Sequence, residues 1–350
     1  MAEGATAKRL KRLVAAALIR APHPLVKLYY AGRLEHTNGF TIDAKAQLVG
    51  RLINRFRVPG QLPTVPEARA QLEILFRLFE RRPPPIHKVS GIEIPGPEGV
   101  VPGRLYRPRE TSEPLPVLAF YHGGGWIQGS LDSHDGMCRR LASWADCVVV
   151  SVDYRLAPEH PFPAAVDDCF AAFRWLVSEA ASIGGDANRV AVGGDSAGGN
   201  LAAVVALLAR DRGQTRPAFQ LLIYPGLDFR MDTESHRRLA DTYMLTRERM
   251  EWYAGLYLGD SGAGRDPRAS PALADDLRGL PPALVITAGF DPLRDEGRDY
   301  AEALRAAGVE AEHRCFEGMI HAFASMPAAF RQADEALRLS AAALRRAFGT

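Results

Sequence analysis

The chain of 350 residues can bury a full hydrophobic core, and its length fits one large domain with an insertion or cap. Hydrophobic residues make up 47% and charged residues 24%, the proportions of an ordinary soluble globular protein. A formal net charge of only +2 gives no electrostatic case for nucleic acid as a partner, and no His/Cys/Asp cluster has metal-ligand spacing.

Lys8-Arg9-Leu10-Lys11-Arg12 followed by Leu13 to Ile19 imitates the basic and apolar regions of a signal peptide. The apolar run is only seven residues long and Arg20 ends it without a small-residue cleavage site, which argues against a signal peptide and a transmembrane helix alike. Leu10, Leu13, Val14, Ala17 and Leu18 repeat at helical spacing with the basic residues off that stripe. This predicts a helix packed on its own protein, with weak membrane-surface contact left open as the alternative. Residues 1–85 read as helical segments broken by proline-rich turns, ending in Arg81-Arg82-Pro83-Pro84-Pro85.

From there strands and helices alternate. Strands are expected at Gly91 to Pro95, Arg104 to Arg107, Pro116 to Tyr121, Cys147 to Val152, Arg189 to Val192, Phe219 to Tyr224, Ala283 to Ala288 and Ala311 to Phe316. Helices fit at Ser133 to Ala145, Pro163 to Ser182, Ala197 to Arg212, Leu293 to Ala307 and Pro327 to Phe348. Near-continuous apolar strands between amphipathic helices imply an α/β fold, with a mostly parallel sheet covered on both faces. Residues 229–271 break the rhythm, being charged and helix-like, and are expected to form a cap insertion with residues 1–85. The catalytic body is then 86–228 and 272–350. Cys138, Cys147, Cys169 and Cys315 form no CxxC pair, and no Asn-x-Ser/Thr sequon occurs, which agrees with a cytoplasmic protein.

Gly194-Asp195-Ser196-Ala197-Gly198 is a G-x-S-x-G lying between an expected strand and an expected helix. That is the context of a nucleophile elbow, a sharp turn that exposes a strained serine beside free helix N–H groups. His122-Gly123-Gly124-Gly125-Trp126 follows an earlier core strand, and its glycines let backbone N–H groups approach an acyl oxygen together with the N–H of Ala197. A hydroxyl nucleophile needs a base, and the base an orienting acid, in the chain order Ser, acid, His. After Ser196 the histidines are His236, His313 and His321. His236 falls in the insertion and His313 inside a strand, whereas His321 follows the last strand and the turn Glu317 to Ile320. Asp291 closes an apolar strand and is preferred as the acid over Asp295 and Glu296, which start the next helix. The charged, proline-rich stretch Asp153 to Ala165 reads as bracing beneath the nucleophile.

Together these motifs resemble the hormone-sensitive-lipase-like branch of the α/β-hydrolases, the bacterial-type esterases of the GDSAG subgroup. The resemblance runs from about Tyr121 to Phe323 and includes the Gly289 to Glu296 and Gly318 to His321 motifs. It implies an eight-stranded, mostly parallel sheet with a helical cap, and hydrolysis of short- to medium-chain acyl esters without a cofactor. Ser196 is then the nucleophile, His321 the base and Asp291 its partner. Gly124, Gly125 and Ala197 form the oxyanion hole, with Gly123 shaping or joining it. Trp126, Asp195, Tyr224, Phe290 and Phe323 are candidate substrate-pocket residues. Two departures stand out: Ala322 follows the base where the family usually has glycine, which narrows the pocket, and the segment before Leu62 is longer than usual. A non-catalytic small-molecule receptor on the same fold, and a hydrolase of amides, lactones or carbamates, are the rival readings. A homodimer stays open.

Overall fold

The computed structural model describes residues 19–55 and 61–350, so the helix expected around Leu10 to Leu18 lies outside the described residues. The N-terminal region carries helices at His23–Tyr29, Ala44–Arg55 and Val65–Phe79. The last begins in a capping box, where the Thr64 side chain and Glu67 satisfy each other's backbone N–H groups. Between the first two lies a hairpin, β1 (His36–Thr37) and β2 (Phe40–Thr41), which sequence reading did not anticipate. Its signal was Asn38-Gly39: both residues take positive φ, 50° and 80°, as a primed two-residue turn requires.

The body is an eight-stranded sheet of β3 (Lys88–Gly96), β4 (Gly99–Arg107), β5 (Leu115–Tyr121), β6 (Val148–Val152), β7 (Gly185–Asp195), β8 (Gln220–Ile223), β9 (Ala283–Phe290) and β10 (Ala311–Ile320). The spatial order is β10-β9-β8-β7-β5-β6-β4-β3. Strands β5 to β10 run parallel, while β4 and β3 add antiparallel to the β6 edge. Every residue of β5, β6, β8 and β9 is buried, as a sheet covered on both faces demands.

Alternation along the strands sorts side chains into two cores. Val117, Ala119 and Tyr121 of β5 pack with the helices Ala164–Glu179, Ala197–Asp211 and Arg294–Ala306. Leu118 and Phe120 face the other way, toward the helices Asp135–Ala145 and Arg331–Phe348. Most element ends differ from expectation by a few residues. Three of the larger shifts have local causes. β7 starts at Gly185, because Leu115 pairs with it across a register irregularity. β10 runs on through Ile320, because its pairing with β9 breaks after Phe316 and resumes at Ile320 opposite Phe290. The final helix starts at Arg331, because Phe330 is still extended at φ −121° and ψ 123°.

Residues 229–271 contain the helices Glu234–Arg238 and Arg247–Leu258 and no strand. Each helix is capped by a threonine hydroxyl, Thr233 on the His236 N–H and Thr246 on the Arg249 N–H. The Asp153 to Ala165 stretch braces as expected. Arg155 forks onto Asp168 with two bonds of 2.9 Å, and the Tyr154 hydroxyl donates to His122 O at 2.6 Å. Among the described residues all four cysteines are free and no helix is long and apolar enough to cross a membrane.

Candidate active site

β7 ends at Asp195 and the following helix starts at Ala197, so Ser196 alone turns the chain. It does so at φ 55° and ψ −119°, a conformation that costs a non-glycine residue on the order of 1–3 kcal/mol and that surrounding contacts must impose. One such contact is the Ser196 N–H donating to Ile223 O at 2.8 Å. Another is the tuck of the helix start against the end of β5: a Cβ on Gly198 would stand 1.8 Å from Tyr121 O, so only glycine fits.

The sheet order then sets the neighbours of Ser196. Asp291 follows β9 and His321 follows β10, so both leave the sheet at the same ends as the serine. Ser196 Oγ lies 3.0 Å from His321 Nε2, and His321 Nδ1 lies 2.7 Å from Asp291 Oδ2. The other Asp291 oxygen accepts the Leu293 N–H at 3.0 Å, which fixes the carboxylate. Asp291 is fully buried, while His321 retains 6% exposure toward the cavity. The runners-up are engaged elsewhere. Asp295 pairs with Arg294 and accepts the Ser235 N–H, and His313 bonds Thr287 within the sheet.

The glycine loop after β5 faces the elbow. Gly124 and Gly125 take φ of 130° and 61°, and among the described residues their N–H groups have no acceptor in the protein. The Ala197 N–H, first of its helix, has no intrahelical partner either. Gly123 departs from the expectation that it joins the hole: its N–H donates to Asp195 Oδ1 at 2.9 Å and is already satisfied. The site thus contains three unclaimed donors beside a serine, the arrangement that stabilises a developing oxyanion.

Asp195 borders the cavity, and it also braces the glycine loop. Its carboxylate is 2% exposed, and its Oδ1 lies 3.1 Å from His134 Nε2. Burial pushes the Asp195 carboxyl up, but His134 and the Gly123 N–H outweigh it and hold the group below the usual carboxylate range. Behind it the His122 ring stacks on Tyr154 at 4.4 Å. Burial and the neighbouring His134 push His122 down to about 4, so this ring is neutral at ordinary pH. Sequence reading passed over His134, because the partner it serves is sixty-odd residues away and no local pattern links them.

The serine opens into a cavity of about 900 Å³. One wall comes from the helix Val65–Phe79 (Leu72, Leu75, Phe79) and the other from Phe229, Met231, Leu245 and Met250. Trp126 lines it, stacked on Tyr257 at 4.6 Å, as expected of a pocket residue. Tyr224, Phe290 and Phe323 do not line it. Tyr224 turns its hydroxyl toward Asp195 and its ring toward His321 and Phe323, so Tyr224 and Phe323 pack behind the histidine. Ala322 does line the cavity and sits at φ 61°, which explains why glycine suits this position. His236, set aside on sequence grounds, also lines the cavity, as does Glu296.

Comparison with known proteins places the fold in a family. The family described as "alpha/beta hydrolase fold" (Abhydrolase_3) matches residues 118–325. Carboxylic ester hydrolase LipN of Mycobacterium tuberculosis is 45% identical over 313 residues, covering 87% of this chain and 83% of that protein. Ethyl acetate hydrolase of Pseudomonas putida is 39% identical over 282 residues, covering 79% and 89%. Among solved structures, the ester hydrolase EH1AB1 from the metagenome of Lake Arreo, complexed with a bipyridine phosphonate derivative, superposes with a TM-score of 0.84 at 42% identity, covering 87% of this chain and 99% of that one. The chain belongs to the α/β-hydrolase family, in its hormone-sensitive-lipase-like esterase branch.

Proposed function

We propose that this chain is a serine carboxylesterase that cleaves short- to medium-chain acyl esters through an acyl-enzyme on Ser196. Carboxylic ester hydrolysis is the activity printed in the names of its relatives, and the observation that carries the assignment to residues is the Ser196–His321–Asp291 relay of 3.0 and 2.7 Å at the base of the cavity. His321 Nε2 removes the Ser196 proton as Oγ attacks the acyl carbon, while Asp291 holds Nδ1–H and stabilises the imidazolium. The N–H groups of Gly124, Gly125 and Ala197 receive the oxyanion, each worth on the order of 100- to 1000-fold in rate. His321 then protonates the departing alcohol, and a water activated by the same base frees the acid. The described residues of the 1–85 segment, with 229–271, act as the cap over this site; their support is the apolar wall that Leu72, Leu75, Phe229 and Met250 build around the serine.

Hydrolysis of a p-nitrophenyl ester series from acetate to palmitate tests the reading. Wild type should peak at short or middle chains and Ser196→Ala should be inactive while remaining folded. Wild-type-like turnover by Ser196→Ala would remove the nucleophile assignment.

A further inference from the structure

Beyond the triad, the cavity wall holds a second polar pair. His236 lies in the helix Glu234–Arg238 and Glu296 in the first turn of Arg294–Ala306, and both line the cavity. They are 0% and 3% exposed. His236 Nδ1 lies 2.6 Å from Thr233 Oγ1, and Glu296 Oε1 accepts the Leu227 N–H at 2.8 Å. These anchors turn the remaining atoms, His236 Nε2 and Glu296 Oε2, toward each other across 3.7 Å. That is too long for a hydrogen bond, and neither atom has another partner among the described residues.

The separation is held from outside. Ser235 donates its hydroxyl to Pro292 O at 2.6 Å and its N–H to Asp295 Oδ2 at 2.8 Å, pinning the His236 helix to the segment that bears Glu296. The pair also stands close to the chemistry: Gly226, next to Leu227, donates its N–H to Ser196 O at 3.4 Å. Burial raises the Glu296 carboxyl well above its usual range and lowers the His236 imidazole. With one proton on Nδ1 and one on Oε2, the gap is faced by a donor and an acceptor. Passing the carboxyl proton to the ring leaves one donor and one acceptor again. A hydroxyl, which donates and accepts, satisfies both atoms at once. A carbonyl satisfies one of them, and a methylene neither.

We propose that His236 and Glu296 form a hydroxyl-recognition subsite, so that the enzyme selects esters carrying a free hydroxyl on the group lodged against this wall. The inference rests on the esterase reading above. The test is kcat/KM of the full chain for ethyl butyrate, ethyl 3-hydroxybutyrate and 2-hydroxyethyl butyrate, which place the hydroxyl on neither side, the acyl side and the alcohol side. Wild type should favour one of the hydroxylated esters over ethyl butyrate by about tenfold, the scale of one buried hydrogen-bonded group. His236→Phe and Glu296→Leu should bring that ratio to about one, whereas Glu296→Gln, which keeps a donor facing the ring and an acceptor for Leu227, should retain most of it. Ratios are read on one preparation, so partial unfolding cancels. A wild-type ratio near one for both hydroxylated esters, or a ratio unaltered by His236→Phe, overturns the subsite and makes the pair a holder of buried water. Failure of all three esters with folded wild type refutes the esterase reading beneath it.

Discussion

Asp195 touches the loop that positions the oxyanion donors, and its replacement by alanine separates that role from simple packing. The carboxylate accepts the Gly123 N–H at 2.9 Å and lies 3.1 Å from His134 Nε2, with both partners buried. Removing it leaves the Gly123 amide unsatisfied and strips the buried His134 ring of its neighbour, each at about 1–3 kcal/mol. Asp195→Ala should therefore lose about 2–6 kcal/mol, to be read against a typical stability of about 5–15 kcal/mol. With the anchor gone, Gly124 and Gly125 drift from the position that the oxyanion will occupy. Loss of one such donor lowers kcat by about 100-fold or more, while KM moves little because the donors act in the transition state. Asp195→Asn keeps an acceptor for Gly123 and should recover kcat to within about tenfold of wild type, on the weaker scale of a neutral hydrogen bond. The assays are urea unfolding at pH 7 and steady-state hydrolysis of p-nitrophenyl butyrate. Asp195→Ala that is destabilised yet keeps full kcat in its folded fraction would refute the positioning argument.

Gly198→Ala places a Cβ 1.8 Å from Tyr121 O, a clash with backbone that no rotamer relieves, and should cost more than about 4 kcal/mol; a soluble, active variant with wild-type Tm would contradict it. Acid should destabilise the fold through His122. Its folded value of about 4 lies below the unfolded value of 6.5, so the unfolded chain takes up the proton first as pH falls. The stability present above pH 6.5 is then lost toward pH 4, on the order of 3 kcal/mol, and urea midpoints that stay flat over that window would disprove it. Ala322→Gly relieves a left-handed φ of 61° at about 1–2 kcal/mol, against about 0.4–1 kcal/mol of added chain entropy. Tm should rise by about 2 °C, and a fall would show that the Ala322 methyl contributes packing that outweighs its strain.

Much of the site was legible because its residues sit at junctions that leave local marks. Ser196 is flanked by glycines between an apolar strand and a helix, and Asp291 and His321 terminate strands in the order that the chemistry requires. The less legible features depend on direction and on distant partners. Whether a buried aromatic lines a pocket or backs it depends on which way a strand end points, and Tyr224 and Phe323 point behind His321. The commitment of the Gly123 N–H depends on Asp195, 72 positions along, and the Glu296–His236 pair likewise spans separate elements. The β1–β2 hairpin is different in kind: Asn38-Gly39 was a readable turn signal, overshadowed by the helical pattern around it.

The route of the chain through the sheet bears on how the enzyme is born. Ser196 precedes His321 by 125 positions, and the strand that carries the base is the outermost of the sheet, pairing only with β9. During synthesis the elbow and the glycine loop emerge long before the base, so a growing chain carries a serine without the means to deprotonate it. On the proposed triad, hydrolytic power arrives only when β10 docks and completes the sheet. On that triad, turnover in a translation mixture therefore counts finished molecules.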